Sequence, residues 1–333
     1  MAALSVTNPT LLDIAKASDP DGKIAQVVEI LNETNEVLDD MSWQEGNLST
    51  GHRTTIRSGL PTPTWRKLYG GVQPTKGRTT QVTDNCGMLE AYAEIDKALA
   101  DLNGNTSAYR LLEDSAHIEG ISQELADTLF FGDEGTEPEA FTGFAPRFNL
   151  TSADNGENII VGGGSGADNA SIWLVVWGPR TVHGIIPKGS KAGIQMEDKG
   201  QVTIEDADGS NGRMEAYRTH YRFDAGLTVR DWRYIVRVPN IDKSALTSDA
   251  TGSSADLPDL MHQAITQIPN LSVGRAVWYM SRNTMSFVRR QVSAAVSGST
   301  LTTENVGGTF QTSFMGIPMK RSDALAADEA LVS

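Results

Sequence analysis

The residue types that could do chemistry fall in three short stretches, one acidic run, a single cysteine and a scatter of histidines. Gly162, Gly164 and Ala167 fit the G-x-G-x-x-A variant of a dinucleotide fingerprint, which works only where a strand turns into a helix whose N-terminus receives the pyrophosphate. Here Asp168-Asn169 leads into another strand-like run, so the stretch reads as a glycine-rich loop. Gly163-x-Ser165-x-Ala167 nearly spells a nucleophile elbow and fails for the same missing helix. Gly184 and Gly189 have phosphate-loop spacing, but Ser190 stands where the lysine is required. Asp206-Ala207-Asp208-Gly209 lacks the later ligands of an EF-hand.

His52, His117, His183, His220 and His262 include no i, i+4 pair and no H-E-x-x-H, so each reads as an ordinary surface or core histidine and no metal site is expected. Cys86 has no basic neighbour and reads as a buried, inert thiol; as the single cysteine it excludes an internal disulfide. The carboxylates of 113–139 are too numerous to single out an acid–base pair. The expectation is a chain without catalytic residues, cofactor or metal.

What the sequence does segregate is charge. Its 28 Lys+Arg and 42 Asp+Glu give −14, the wrong sign for a protein that grips phosphate backbones. Yet residues 48–83 contain no acidic residue and carry +6, from Arg53, Arg57, Arg66, Lys67, Lys76 and Arg78. Repeated Gly, with Pro61, Pro63 and Pro74, denies this segment a compact core. It reads as a long β-hairpin or extended loop with strand-like runs at 52–56, 64–68 and 79–82, and loops of that length tend to be functional. Nine acidic residues and no Lys or Arg lie between Glu113 and Glu139. Such a run is usually a solvated face, but like charges at helical spacing repel, and a basic partner would relieve them.

The elements that must position these charges follow from periodicity. Ile24, Val27, Val28, Leu31 and Leu38 predict an amphipathic helix over 23–38, behind an extended arm of about twenty residues. A helix is predicted from Ser107 to Phe131, with Leu111, Ile118, Ile121, Leu125 and Leu129 as its apolar face and Gly132 as a left-handed cap. Beyond Ala140 the chain reads as mostly β: runs at 158–161, 171–177, 181–186, 201–204, 214–223 and 230–238, with a hairpin turn at Asp206–Gly212. A linker over Ser244–Asp256 leads to a helix at 257–268, a strand at 275–280, a helix at 283–295 capped from Ser281, a glycine-marked loop, and strands near 310–315 and 318–321. Hydrophobic residues make up 39%, as in a globular protein. No run reaches the ~18 apolar residues of a membrane helix. Met1–Pro9 shows no signal-peptide pattern, so a soluble intracellular product without a membrane partner is expected.

Several ordered strings are familiar: Thr10–Lys16 with Asp19-Pro20-Asp21-Gly22; Glu45-Gly46-Asn47-Leu48; Gly51–Pro61; Trp65-Arg66-Lys67-Leu68; Gly71-Val72-Gln73-Pro74; Gly184–Gly189; and Asp231-Trp232-Arg233-Tyr234. On these the chain resembles the major capsid proteins of short-tailed and related tailed bacteriophages, which share the Hong Kong 97-like, or Johnson-lineage, fold. The resemblance implies an α+β fold with an N-terminal arm (1–47), an extended loop (48–97), a spine helix with a β-rich peripheral region (98–242), and an axial-type α/β domain (243–333). In the usual order the axial-type unit precedes the last long peripheral strands. Here it closes the chain after the hairpin 201–238, which implies a rearranged order of elements.

The function implied is structural: self-assembly into hexamers and pentamers of an icosahedral head around double-stranded DNA held without sequence-specific binding. The implied partners are other copies of the chain, a separate scaffolding protein, a portal and a cement or decoration protein; the implied location is the virion, after assembly in the host cytoplasm. Inter-subunit contacts are expected between Arg53, Arg57, Arg66, Lys67 and Arg78 of the loop and Glu113, Glu119, Glu124 and Asp127 of the helix. No Lys–Asn cross-link pair is assigned. The alternatives are an encapsulin-like compartment shell and a β-rich enzyme with the 162–167 loop at its active site.

Overall fold

The computed structural model describes residues 35–102, 106–191, 193–205, 212–250, 252–294, 301–306 and 309–333. The arm over 1–34, most of the predicted helix 23–38 and the turn at 206–211 lie outside them. The elements are, in chain order, α1 (Val37–Asp40), β1 (Trp43–Glu45), β2 (Gly51–Gly59), β3 (Arg78–Asp96), α2 (Lys97–Ala100), α3 (Thr106–Phe131), β4 (Asn169–Trp177), β5 (Val182–Ile186), β6 (Gln195–Glu205) and β7 (Arg213–Val229). They continue with β8 (Ile235–Asp242), α4 (Leu257–Gln267), β9 (Arg275–Met280), α5 (Arg282–Ala294), β10 (Leu301–Val306), β11 (Thr309–Phe314) and β12 (Ile317–Arg321). The mixed α+β composition is the expected one.

Two compact units result, and each is built from separated segments. Among described residues the first comprises residue 35, 88–127 and 191–224, and the second comprises 36–87, 128–190 and 225–333. This differs from the division read off the sequence at 242. The reason is pairing: β4 forms an antiparallel ladder with β8 and another with β9, so strands on both sides of that boundary share one sheet. The sheet of the second unit runs β10-β11-β12-β9-β4-β5-β7, with β1 beside β5 and β8 beside β4.

Strand β4 is the centre of this unit, and all nine of its residues are buried. A strand covered on both faces reads as a continuous apolar run rather than an alternation, which is the pattern of Ile172-Trp173-Leu174-Val175-Val176-Trp177. Its even-numbered residues Ile172, Leu174 and Val176 pack into a cluster with Leu257, Met261, Met285 and Val288 of α4 and α5. On the other face, Trp173 and Trp177 meet Phe144, with Phe130 against Trp173 and Tyr279. Asp256 caps α4 by accepting from Asp259 N–H at 3.2 Å. Ser281 caps α5 by accepting from Thr284 N–H at 3.2 Å, as its position predicts. Gln291, buried on α5, accepts from Leu257 N–H and donates to Thr247 and Ala255 carbonyls, which ties down the 244–256 linker.

In the first unit β7 lies between β3 and β6. A small core of Ile95, Leu99, Ala100 and Tyr109 is packed by Tyr217. Ion pairs join the strands: Arg218 to Glu94 at 2.6 Å, and Arg110 of α3 to Asp198 of β6 at 2.6 Å.

Four local expectations are corrected. The segment 64–68 forms no strand, because nothing pairs with it across the loop. The run 158–161 contributes a 3-10 turn, Gly156–Asn158, and one bridge rather than a strand. The glycine-marked loop after α5 contains β10, which pairs with β11. Gly132 is not left-handed; glycine is needed there because a Cβ would stand 2.6 Å from the carbonyls of both Phe141 and Thr128.

Candidate inter-subunit interface

The basic segment is a hairpin. Strands β2 and β3 pair from Gly51↔Asn85 to Gly59↔Arg78, with an irregularity between Arg57 and Gly59; residues 60–77 form its irregular tip. The root is fixed in the second unit. Asp84 is buried and receives Arg147 Nη1 at 2.8 Å, while Arg147 also donates to the Thr142 and Leu227 carbonyls. Asn47 and Arg53 exchange two hydrogen bonds, side chain to backbone, of 2.8 and 2.7 Å. Gly51 admits no side chain, since a Cβ would lie 2.1 Å from Asp84 O. His52 is held between Asn47 N–H, 3.3 Å from Nδ1, and Arg230 Nη2, 3.0 Å from Nε2.

Arg53, Arg57, Arg66, Lys67, Lys76 and Arg78 are all exposed. Among the described residues none of the six meets a carboxylate; Arg53 Nε reaches only Thr83 Oγ1, at 3.2 Å. Arg57 opposes Thr79 and Arg78 opposes Gly59, so these two guanidinium groups share the outer end of the stem. Arg66 and Lys67 sit on the tip.

The acidic residues lie on α3. At about 100° per residue, Glu113, Glu124 and Asp127 fall within an arc of about 60°, and Glu119 lies to one side. Glu124 and Asp127 are exposed, while Glu113 and Glu119 are half-buried. Glu119 accepts from Gln123 Nε2 at 2.9 Å. The expected apolar face of this helix is only partly used: Ile121, Leu125 and Leu129 are buried, whereas Leu111 is 70% exposed and Ile118 is also exposed. The hairpin belongs to the second unit and these four carboxylates to the first.

Among the described residues no competing chemical site is assembled. Strand β4, not a helix, follows the 162–167 loop; Gly162, Gly164 and Gly166 serve close packing, a Cβ at Gly164 lying 2.7 Å from Asn240 O, and Gly163 takes a left-handed φ of 82°. Among the described residues, no three His, Cys, Asp or Glu side chains gather as a metal site, and no helix is long and apolar enough to cross a membrane. Cys86 is half-buried rather than buried. The residues that sequence reasoning missed are those at the hairpin root, Asp84, Arg147, His183 and Arg230. Each is contributed by a different segment, and no spacing rule joins them.

Comparison with known proteins places this architecture. The family described as major capsid protein GP7 matches residues 19–333. The chain belongs to that family. The capsid protein of bacteriophage Epsilon15 is 35% identical over 100% of both chains, with a TM-score of 0.76. The capsid of bacteriophage JBD30 is similar in fold, at 10% identity over 96% of this chain and 100% of that one, with a TM-score of 0.50. The SrpI encapsulin of Synechococcus elongatus PCC 7942 matches at a TM-score of only 0.45 and 9% identity, over 66% of this chain and 92% of that one, so the encapsulin alternative gains nothing from it. No curated protein matches the sequence. As a member of the GP7 family with the Hong Kong 97-like capsid fold, the chain is a structural, non-enzymatic protein of the phage virion that assembles into a multimeric shell.

Proposed function

We propose that the subunit forms hexamers and pentamers of an icosahedral head, and that the basic hairpin of one copy lies on the acidic face of α3 in the next. The observation that carries this reading is a set of exposed cations that meet no carboxylate among the described residues, on an arm without its own core, matched by the carboxylate face of Glu113, Glu124 and Asp127. Such a contact is heterologous, and heterologous contacts close into rings. Complementary fields also steer subunits into register. Arg53, Arg57, Arg66, Lys67 and Arg78 face Glu113, Glu119, Glu124 and Asp127 across the contact.

In domain terms, 1–47 is the arm and 48–97 the extended loop. Helix α3 with the β6–β7 hairpin makes the spine and peripheral part, and the β4-centred sheet with α4 and α5 makes the axial part. The shell encloses double-stranded DNA without gripping it, in keeping with a net charge of −14. A separate scaffolding protein, a portal and a cement protein complete the partners, and assembly takes place in the host cytoplasm. The test is Arg57→Glu with Arg66→Glu, which is expected to leave soluble subunits that do not form shells, and Glu124→Arg added to that variant, which is expected to restore part of the yield. Normal shells from the doubly reversed chain would contradict the contact.

A further inference from the structure

A group of apolar side chains stands at the hairpin tip among the cations. Trp65 and Tyr69 are each 103% exposed and Leu68 is 89% exposed. Single exposed apolar residues are ordinary. Three within five residues, including a Trp and a Tyr, are not: burying them would release far more free energy than any exposed ion pair nearby.

The tip is also held in a defined shape. Gly70 N–H donates to Lys67 O at 3.1 Å, closing a turn, and Tyr69 sits at φ 63°, a left-handed conformation unusual for a bulky residue. Thr75 Oγ1 donates to Thr62 O at 3.3 Å across the two limbs of the tip. Pro61, Pro63 and Pro74 fix their φ angles. A loop ordered in this way loses less conformational freedom when it binds.

We infer that Trp65, Leu68 and Tyr69 form an apolar knob that anchors the hairpin in a second copy of this chain, while the flanking Arg and Lys residues steer its approach. The inference rests on the reading of the hairpin as an inter-subunit contact. The occupant follows from charge and composition. The segment around the knob carries +6 in a chain of −14, so the surface of another copy is complementary to it. The pairing of Trp and Tyr with Arg66 is the composition of interface hot spots. Aromatic residues among cations also suit single-stranded nucleic acid, and the experiment separates the two.

Two full-length variants, Trp65→Ala with Tyr69→Ala and Arg57→Glu with Arg66→Glu, are assembled beside the wild type at about 0.1 M and about 0.5 M NaCl, and the shell fraction is measured by sedimentation. A photo-cross-linking residue replacing Tyr69 reports what the tip touches. The aromatic variant is expected to raise the concentration needed for shells at least about tenfold at both salt concentrations, with an unchanged melting curve because Trp65 and Tyr69 are fully exposed in the subunit. The cross-link is expected to join two copies. Wild-type assembly of the aromatic variant, with failure of the charge reversal, would overturn the anchor and leave the hairpin contact standing. Wild-type assembly of both would overturn the anchor and the contact alike. A cross-link within one chain or to DNA would overturn the anchor whatever the yields.

Discussion

The rings of His183 and His52 meet edge to face at the root of the hairpin, with centroids 6.1 Å apart. Arg230 Nη2 lies 3.0 Å from His52 Nε2, and Asp84, held by Arg147, acts on His52 from the other side of the charge balance. Burial first, then Arg230, then His52, bring the His183 pKa down from 6.5 to about 4. Burial and Arg230 lower that of His52 as well, against Asp84. A base whose folded pKa lies below its unfolded value contributes stability above the unfolded value, and that stability is lost as pH falls toward the folded one. For His183 the window is from 6.5 down to about 4, and the loss across it is about 3 kcal/mol. The melting temperature of the subunit should therefore fall through that window, and His183→Asn should flatten the fall; an identical pH profile for the variant would refute it.

Glu329 and Arg237 form a buried ion pair of 2.7 Å; Ser171 Oγ donates to Glu329 Oε1 and Arg237 Nη1 donates to the Phe148 carbonyl, while Arg237 Nε meets no acceptor among the described residues. Glu329→Ala leaves a buried guanidinium unpaired and should cost about 3–5 kcal/mol. Replacing both, Arg237→Met with Glu329→Leu, should cost clearly less. Urea unfolding of the two variants measures the difference, and equal midpoints would show that the pair is not electrostatically critical.

Gly132 has no room for a methyl group between the carbonyls of Thr128 and Phe141. Gly132→Ala should destabilise the C-terminal end of α3 by about 1–3 kcal/mol. Gly71→Ala on the hairpin tip, where a Cβ meets nothing, serves as the control. Thermal unfolding should separate the two variants by several degrees.

If the stem cations do meet carboxylates of a neighbour, shell formation should weaken as salt rises, because exposed charges are screened beyond about 10 Å at 0.1 M ionic strength. Light scattering during assembly would record this as a slower rise. A rate indifferent to salt would leave the tip aromatics as the whole of the attraction.

Much of this fold is readable in the sequence where one pattern dominates. The strand Arg275–Met280 and the helix from Thr106 to Phe131 fall where periodicity puts them, since long runs with a single buried face leave little choice. Charge segregation between hairpin and helix is equally plain, because composition needs no geometry. What could not be read is what depends on distant pairing. Strand β4 draws β8 and β9 into one sheet across the presumed boundary at 242, and β10 hides in a stretch of Thr, Glu and Asn with no apolar alternation. The hairpin root escaped for the same reason: Asp84 and Arg147 are 63 residues apart, and each looks like an ordinary surface charge until the fold buries the carboxylate.

An electron cryo-microscopy reconstruction of the particles formed by this chain would locate the hairpin directly. The expected result is a closed icosahedral shell in which Arg57 and Arg66 of one subunit lie within ion-pair distance of the α3 carboxylates of its neighbour. A shell in which the hairpin lies back on its own subunit, or projects into solvent, would contradict it.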